Sequence, residues 1–430
     1  MRLKASVPPN PKGPRITRTP VTPKTPYRAF LRANSRWLAA GGLLMFGSSF
    51  GQTYFISIFA GEIRAEFGLS HSTWGGIYAV GTLASAALML LIGGVADGHA
   101  ARKLATLNLI AFALLCLAMA AVPTAALLPL VIFGLRFCGQ GMMGHLAIVS
   151  VGRWFKAQRG RAVSVVSSGY SVGEAILPVT FVFLMVTVGW RGAWVAAALL
   201  ILLFIPLLRR LLSTERAPQG LAEADQSLGM GGHHWTRGQA VGHWLFWACI
   251  PGLLAHPIFG TAFFFQQVHM VEQKGWALES FAGLFPLYTA ASIAALFAGG
   301  ALVDRLGVGR IMPFYLLPLA AGFTVISLTT SLWVAAIGMV LIGTVQGLGT
   351  ATMGAFWPEY YGTRHLGAIR AVAVSLMVFA TALGPAGTGA LIDLGVPYDT
   401  QLRAMALVTL GACLAYAIAF RRARALLRAG

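Results

Sequence analysis

The chain has 430 residues, 57% of them hydrophobic and only 10% charged, with a mean hydropathy of +0.73. A water-soluble domain of this size rarely keeps charge so low, whereas a polytopic membrane protein must, so the composition points to a chain built for lipid. The formal net charge of +19 raises nucleic acid as a partner, but where those charges fall excludes it.

Residues 1–36 hold nine Lys or Arg, seven prolines and no acid. Such a stretch cannot build a core and is expected to be a disordered basic tail. It lacks the short apolar region and cleavage site of a signal peptide. Apolar runs long enough to cross a bilayer then recur at residues 37–60, 74–96, 104–122, 126–150, 162–187 and 192–208. A polar central loop at 209–243 follows. Six more runs come at 244–270, 281–303, 311–329, 332–356, 370–395 and 402–420, before a basic tail at 421–430. The expected fold is an all-α membrane protein of twelve transmembrane helices, arranged as a six-helix bundle at 37–208 and a second at 244–420.

The polar residues inside these runs are the candidates for function. Span one carries Gln52 and Tyr54. Span four carries Arg136, with Gln140 one turn on, and span five carries Glu174, with Tyr170 on the same stripe. Counted from the loop between spans four and five at about 1.5 Å of rise per residue, Arg136 and Glu174 sit at nearly the same depth. That depth is roughly halfway through a hydrocarbon core of about 30 Å. A charge there is costly unless it is paired or wet, so both are functional candidates and are expected to face one another. Spans seven and eight add His256, Gln266, Gln267 and Tyr288. The run Phe263-Phe264-Phe265 reads as packing or lipid surface. Cys116, Cys138, Cys249 and Cys413 fall singly in apolar runs and read as small core residues. His233-His234 in the central loop make a poor metal site on their own, and no cofactor is expected.

The two halves repeat. Gly93-x-x-x-Asp97 closes span two and Gly300-x-x-x-Asp304 closes span eight, 207 positions later; Pro178 and Pro385 share that offset. Gln140-Gly141 matches Gln346-Gly347 at 206, as Trp154-Phe155 matches Tyr360-Tyr361. A steady offset is the trace of a duplicated six-helix unit. Arg136 and Glu174 have no counterparts, since Ile342 and Ala380 stand at the matching positions. Their role is therefore specific to the first half.

If the N-terminus is cytoplasmic, 27 of the 32 Lys and Arg lie in cytoplasmic segments. Only Arg64, Arg191, Lys274 and Arg403 lie on the opposite face, and Arg136 is within the membrane. This agrees with the positive-inside rule and accounts for the net charge without nucleic acid. The expected location is the cytoplasmic (inner) membrane of a bacterium with both termini in the cytoplasm, the lipid bilayer being the partner of the basic surface.

The loop Gly300-Ala-Leu-Val-Asp304-Arg305-Leu-Gly307-Val-Gly309-Arg310 resembles the signature loop of the major facilitator superfamily. The first copy keeps Gly93, Asp97, Arg102 and Lys103. Arg136-Phe-Cys-Gly139-Gln140-Gly141 is similar to that family's span-four pattern, with Gly139 and Gln140 in reversed order. The resemblance covers residues 37–420. It implies two pseudo-symmetric bundles working by alternating access, with Gly93, Asp97, Arg102, Gly300, Asp304, Arg305 and Arg310 as a cytoplasmic gate. Trp357-Pro-Glu359-Tyr-Tyr-Gly362 and His365-Leu-Gly367 look like the monocarboxylate and oxalate–formate branch. Span five lacks the Gly-Pro pair of drug–proton antiporters, because Glu174 follows Gly173.

The expectation is a monomeric, proton-coupled symporter taking up a small organic solute, with a carboxylate favoured: Arg136 would clamp the carboxylate and Glu174 would carry the proton. The alternatives are uptake of a neutral or aromatic solute such as a vitamin, and efflux of a toxic compound. An enzyme would need a nucleophile–base or metal constellation that these scattered side chains do not supply.

Overall fold

The computed structural model describes residues 26–93, 95, 100–155, 158–214 and 228–428. Contacts divide the chain into a short unit, Met1–Ser35, and a unit Arg36–Gly430 that holds the interface between the halves and the site described below. The first helix runs Tyr27–Ser48, so residues 27–36, expected as disordered tail, are helical; the Tyr27-to-Trp37 stretch holds only alanine, leucine, aromatic and arginine side chains with one Asn and one Ser, and no proline to stop a helix. Residues 1–25 lie outside the described residues. At the other end the helix Tyr398–Arg428 runs through the basic residues expected as a tail.

All described regular elements are helices. Apolar residues surround most of them on every side, because their outer faces meet lipid rather than water. Leu91, Phe297 and Trp333 are 81%, 73% and 85% exposed, which only a bilayer makes cheap. Among the described residues nine helices are long and apolar enough to cross a membrane, or ten when the bent pair Tyr27–Gly51 and Thr53–Phe67 counts as one span. The helix Gly160–Leu211 holds two of the expected spans, divided at Gly189, whose φ of 72° breaks the helical path. Span nine is the shorter apolar helix Leu317–Leu328. With these two refinements the twelve-span plan stands.

The two halves meet through matching pairs. Span two (His71–Ile92) packs on span eleven (Leu366–Asp393), and span five packs on span eight (Phe285–Leu306). Each pair maps onto the other when the halves are exchanged, as a duplicated unit requires.

One end of this interface is sealed, the one opposite the termini by connectivity. There a Cβ on Gly75 would lie 3.0 Å from Ala386 Cα, so the backbones of spans two and eleven touch. Gln267 Nε2 donates to Tyr54 O (3.1 Å) and Ser57 Oγ (2.8 Å), and Ser57 Oγ donates to Phe264 O (2.7 Å). Gln266 Nε2 donates to Thr388 Oγ1 (3.2 Å).

Candidate functional site

Span one is broken where the site forms. After Ser48 the chain tightens into a 3₁₀ turn, Ser49–Gly51, and Gln52 takes extended backbone angles (φ −85°, ψ 155°) before a new helical turn, Thr53–Ile56. The two parts are bent by 49°. The break is possible because Gly51 has no side chain: a Cβ there would sit 2.7 Å from Gly139 Cα in span four. Opposite it, span four widens into a π-helical stretch, Arg136–Met143, a distortion common at functional sites. The break turns Gln52, Thr53 and Tyr54 toward the centre.

Arg136 serves this break. It is fully buried, and its Nη1 donates to Gly51 O at 3.0 Å and lies 3.5 Å from Thr53 Oγ1. Its Cζ is 5.2 Å from the centroid of the Tyr78 ring, a cation–π contact, and Tyr78 OH is 2.5 Å from Thr53 Oγ1. Nε and Nη2 are buried with no hydrogen-bond partner among the described residues.

Glu174 faces elsewhere. It is 4% exposed; Tyr170 OH donates to its Oε1 at 3.2 Å, and Thr289 Oγ1, from span eight, is 3.5 Å from Oε2. The two charges that counting placed at one depth are not an ion pair. Among the described residues the ion pairs are Arg191–Glu66 and Lys274–Asp399. The broken carbonyl of Gly51 has taken the arginine, and hydroxyls from both halves have taken the carboxylate.

A cavity of about 270 Å³ lies between the halves. Seven of the ten expected residues line it: Gln52, Tyr54, Gln140, Tyr170, Glu174, His256 and Tyr288. The other three do not. Arg136 is turned behind the span-one break, and Gln266 and Gln267, just after span seven, belong to the sealed end. Gln346 and Phe264 also line the cavity, as sequence reasoning did not foresee. Gln346 was findable, because the repeat offset places it opposite Gln140. His256 keeps its room through Gly260, where a Cβ would come within 3.3 Å of Nε2. Tyr54 packs edge-on to Tyr170 with centroids 6.0 Å apart, and Phe264 packs against Tyr288 at 5.2 Å.

Two further spaces share walls with this one. One, sharing His256, Gln346, Val374 and Met377, runs past Thr350 to Trp357 and Arg370. The other, sharing Gln140, Val374 and Val378, runs past Met89 to Gly93 and His145. Both lead toward the loops on the face that carries the termini, so the site opens to that face.

The described residues among the expected gate lie at this open end. Gly93 O is 2.9 Å from His145 Nε2. Asp97 falls outside the described residues, and Arg102 is half-buried. Gly300 is inside the span-eight helix with open space where a Cβ would go, so no tight turn requires it; Gly307, with φ 76°, is the glycine the turn needs. Asp304, Arg305 and Arg310 are exposed, and none takes part in an ion pair among the described residues. The four cysteines are buried and free. Among the described residues no three His, Cys, Asp or Glu side chains cluster as a metal site.

The family model described as Major Facilitator Superfamily matches residues 41–385 and 258–428. A comparison with curated protein sequences finds no match. Among solved structures, the chain is similar to a bacterial homologue of the human lysosomal transporter Spinster in two inward-facing forms. The unoccupied form is 18% identical, with 94% of each chain covered and a TM-score of 0.65. The occupied form is 17% identical, with 94% of this chain and 98% of that chain covered and a TM-score of 0.68. The nucleoside transporter NupG is 14% identical, with 91% and 99% covered and a TM-score of 0.65. These likenesses are of fold. The family model, which spans most of the chain, identifies it as a member of the Major Facilitator Superfamily, a multi-pass membrane protein and secondary transporter working by alternating access.

Proposed function

We propose that the protein takes up a small organic solute together with protons, and that the solute is neutral or positively charged rather than a free carboxylate. One observation carries this reading: among the described residues, Glu174 is the only formally charged side chain lining the central cavity. A solute carboxylate would meet a carboxylate, while the arginine expected to receive it is held on Gly51 O. Gln52, Gln140 and Gln346 offer amide donors and acceptors. Tyr54, Tyr170, Tyr288 and Phe264 offer ring faces that suit an apolar, aromatic or cationic group.

Proton coupling follows from the demands on Glu174. Its neutral form is compatible with burial among hydroxyls. Its charged form requires a compensating partner, which a solute cation or donor provides. Proton and solute are then alternative occupants of one carboxylate.

A second reading, uptake of an organic anion, rests on Arg370, which lines the adjoining space, and on the monocarboxylate-like segment around it. Topology, with both termini in the cytoplasm, rests on the charge bias.

The test is a proteoliposome screen with an internal pH reporter and matched solutes that differ only in carrying an amine, an amide or a carboxylate. The expected result is proton entry with amines or amides in the wild type and none in Glu174→Gln. Proton entry driven only by carboxylates, or unchanged proton entry in Glu174→Gln, overturns the proposal.

A further inference from the structure

At the sealed end, spans one, two and eleven and the segment after span seven converge on two histidines. His71, from the first half, begins span two; His269, from the second half, lies on the short helix Gln267–Lys274. Their rings meet edge to face across the seam, with centroids 4.5 Å apart and planes at 72°. Both are partly exposed, so water and protons reach them. Neither contributes to the central cavity.

The groups facing this pair come from every neighbouring element. From span one, Arg64 acts on both rings. From span eleven, Asp393 accepts hydrogen bonds from His71 N (3.0 Å) and Ser72 N (2.7 Å), holding the first turn of span two. From the segment after span seven, Gln266 gives its amide to Thr388, and Glu272 acts on Arg64. From span twelve, Tyr398 packs on His269 at 6.1 Å. The carboxylate of Asp393 also acts on His71, against the opposing charges of Arg64 and a protonated His269.

We propose that His71 and His269 form an acid-opened clasp: neutral, they close the seam opposite the termini, and protonated, they drive it apart. Edge-to-face packing suits neutral imidazoles. A proton on each ring places two positive charges against one another and beside Arg64, on opposite halves of the transporter. Histidine is the side chain whose ordinary titration lies between pH 5 and 8. Each unit by which the proton affinities differ between closed and open states changes their ratio about tenfold. Acid on that side would then expose the cavity to it. The clasp depends on alternating access alone and is separate from proton carriage by Glu174.

The experiment places nitroxide labels at Glu62→Cys and Leu394→Cys, exposed positions on the two halves; the native cysteines are all buried. Distances are measured by pulsed electron resonance in lipid nanodiscs at pH 7.5 and 5.0. Acid is expected to raise the ratio of long to short distances about tenfold or more in the wild type, and equally in Glu174→Gln. The double variant His71→Gln/His269→Gln is expected to show no pH response. An unchanged or shortened distance in the wild type at pH 5.0, or a full response in the double variant, overturns the clasp. If the double variant does not fold, the singles decide: a full acid response in either overturns the clasp, and a reduced one supports it. Loss of the response in Glu174→Gln alone would assign it to the central carboxylate and also overturn the clasp.

Discussion

Replacing Arg136 separates two roles that the sequence alone leaves entangled. The structure makes Arg136 a positioning residue: its Nη1 satisfies Gly51 O at the break of span one, and the cavity wall formed by Gln52, Thr53 and Tyr54 begins one residue later. A hydrogen bond from a charged donor is worth about 1.5–3 kcal/mol, and the cation–π contact with Tyr78 adds about 0.5–2 kcal/mol. Against this, Arg136→Ala removes a buried cation with two unpartnered nitrogens, whose relief offsets part of the loss. A net weakening of about 1.5–3 kcal/mol in holding the break corresponds to roughly 10–150-fold in apparent affinity if all of it reaches the solute. The loss should be the same for a carboxylate and for its matched amide, because the guanidinium touches neither. Arg136→Lys keeps the charge and a donor and should recover part of the affinity for both. The assay is concentration-dependent uptake into proteoliposomes for such a matched pair. A large loss confined to the carboxylate, with the amide unaffected, would refute the positioning role and restore Arg136 as a solute clamp.

Other consequences are as specific. Gln140→Ala and Gln346→Ala, pseudo-symmetric in the cavity, should each weaken solute affinity by roughly 3–10-fold while leaving the proton-to-solute ratio unchanged, since about 1 kcal/mol attaches to a neutral hydrogen bond; a coupling change in either would contradict this. Gly51→Ala forces a methyl against the span-four backbone and should lower stability by about 1–3 kcal/mol. Gly300→Ala meets open space and should be neutral or stabilising by about 0.5–1 kcal/mol. Thermal unfolding in detergent compares the two, and equal shifts would count against the packing argument. Gly260→Ala presses on His256 Nε2 and should reduce affinity several-fold with folding intact, read as KM at unchanged protein yield.

The general plan was legible because lipid imposes it. Long apolar runs, the basic bias of one face and the 206–207 offset all follow from crossing a bilayer twelve times with a duplicated unit. The place of Glu174 in the cavity wall was legible too, since a buried carboxylate in an apolar span marks a functional position. Counting failed at Arg136 for a local reason. Span one is not straight, and no count along spans four and five reveals that Gly51 leaves a carbonyl for a guanidinium to reach. Gln266 failed differently: it is adjacent to Gln267, in the turn after span seven, and side chains at that level close the seam rather than line the centre. Gln346 was the opposite case, a residue the repeat had already marked beside Gln140.

The symmetry and its violation divide the work. Spans two with eleven and five with eight are the pairs that the repeat exchanges, and Gln140 and Gln346 line the cavity at matching positions of the two halves. The charges obey no such symmetry. Glu174 belongs to the first half yet lies near Thr289 of the second, so under the proposed coupling its protonation would act on the contact between halves as well as on the solute. Arg136 also belongs to the first half but is committed to that half's own broken span. One charge therefore communicates across the moving interface and the other fixes the shape of one wall. Under the proposed coupling, the carboxylate that lies between the bundles at the cavity sits where a change in its charge would alter both binding and rocking.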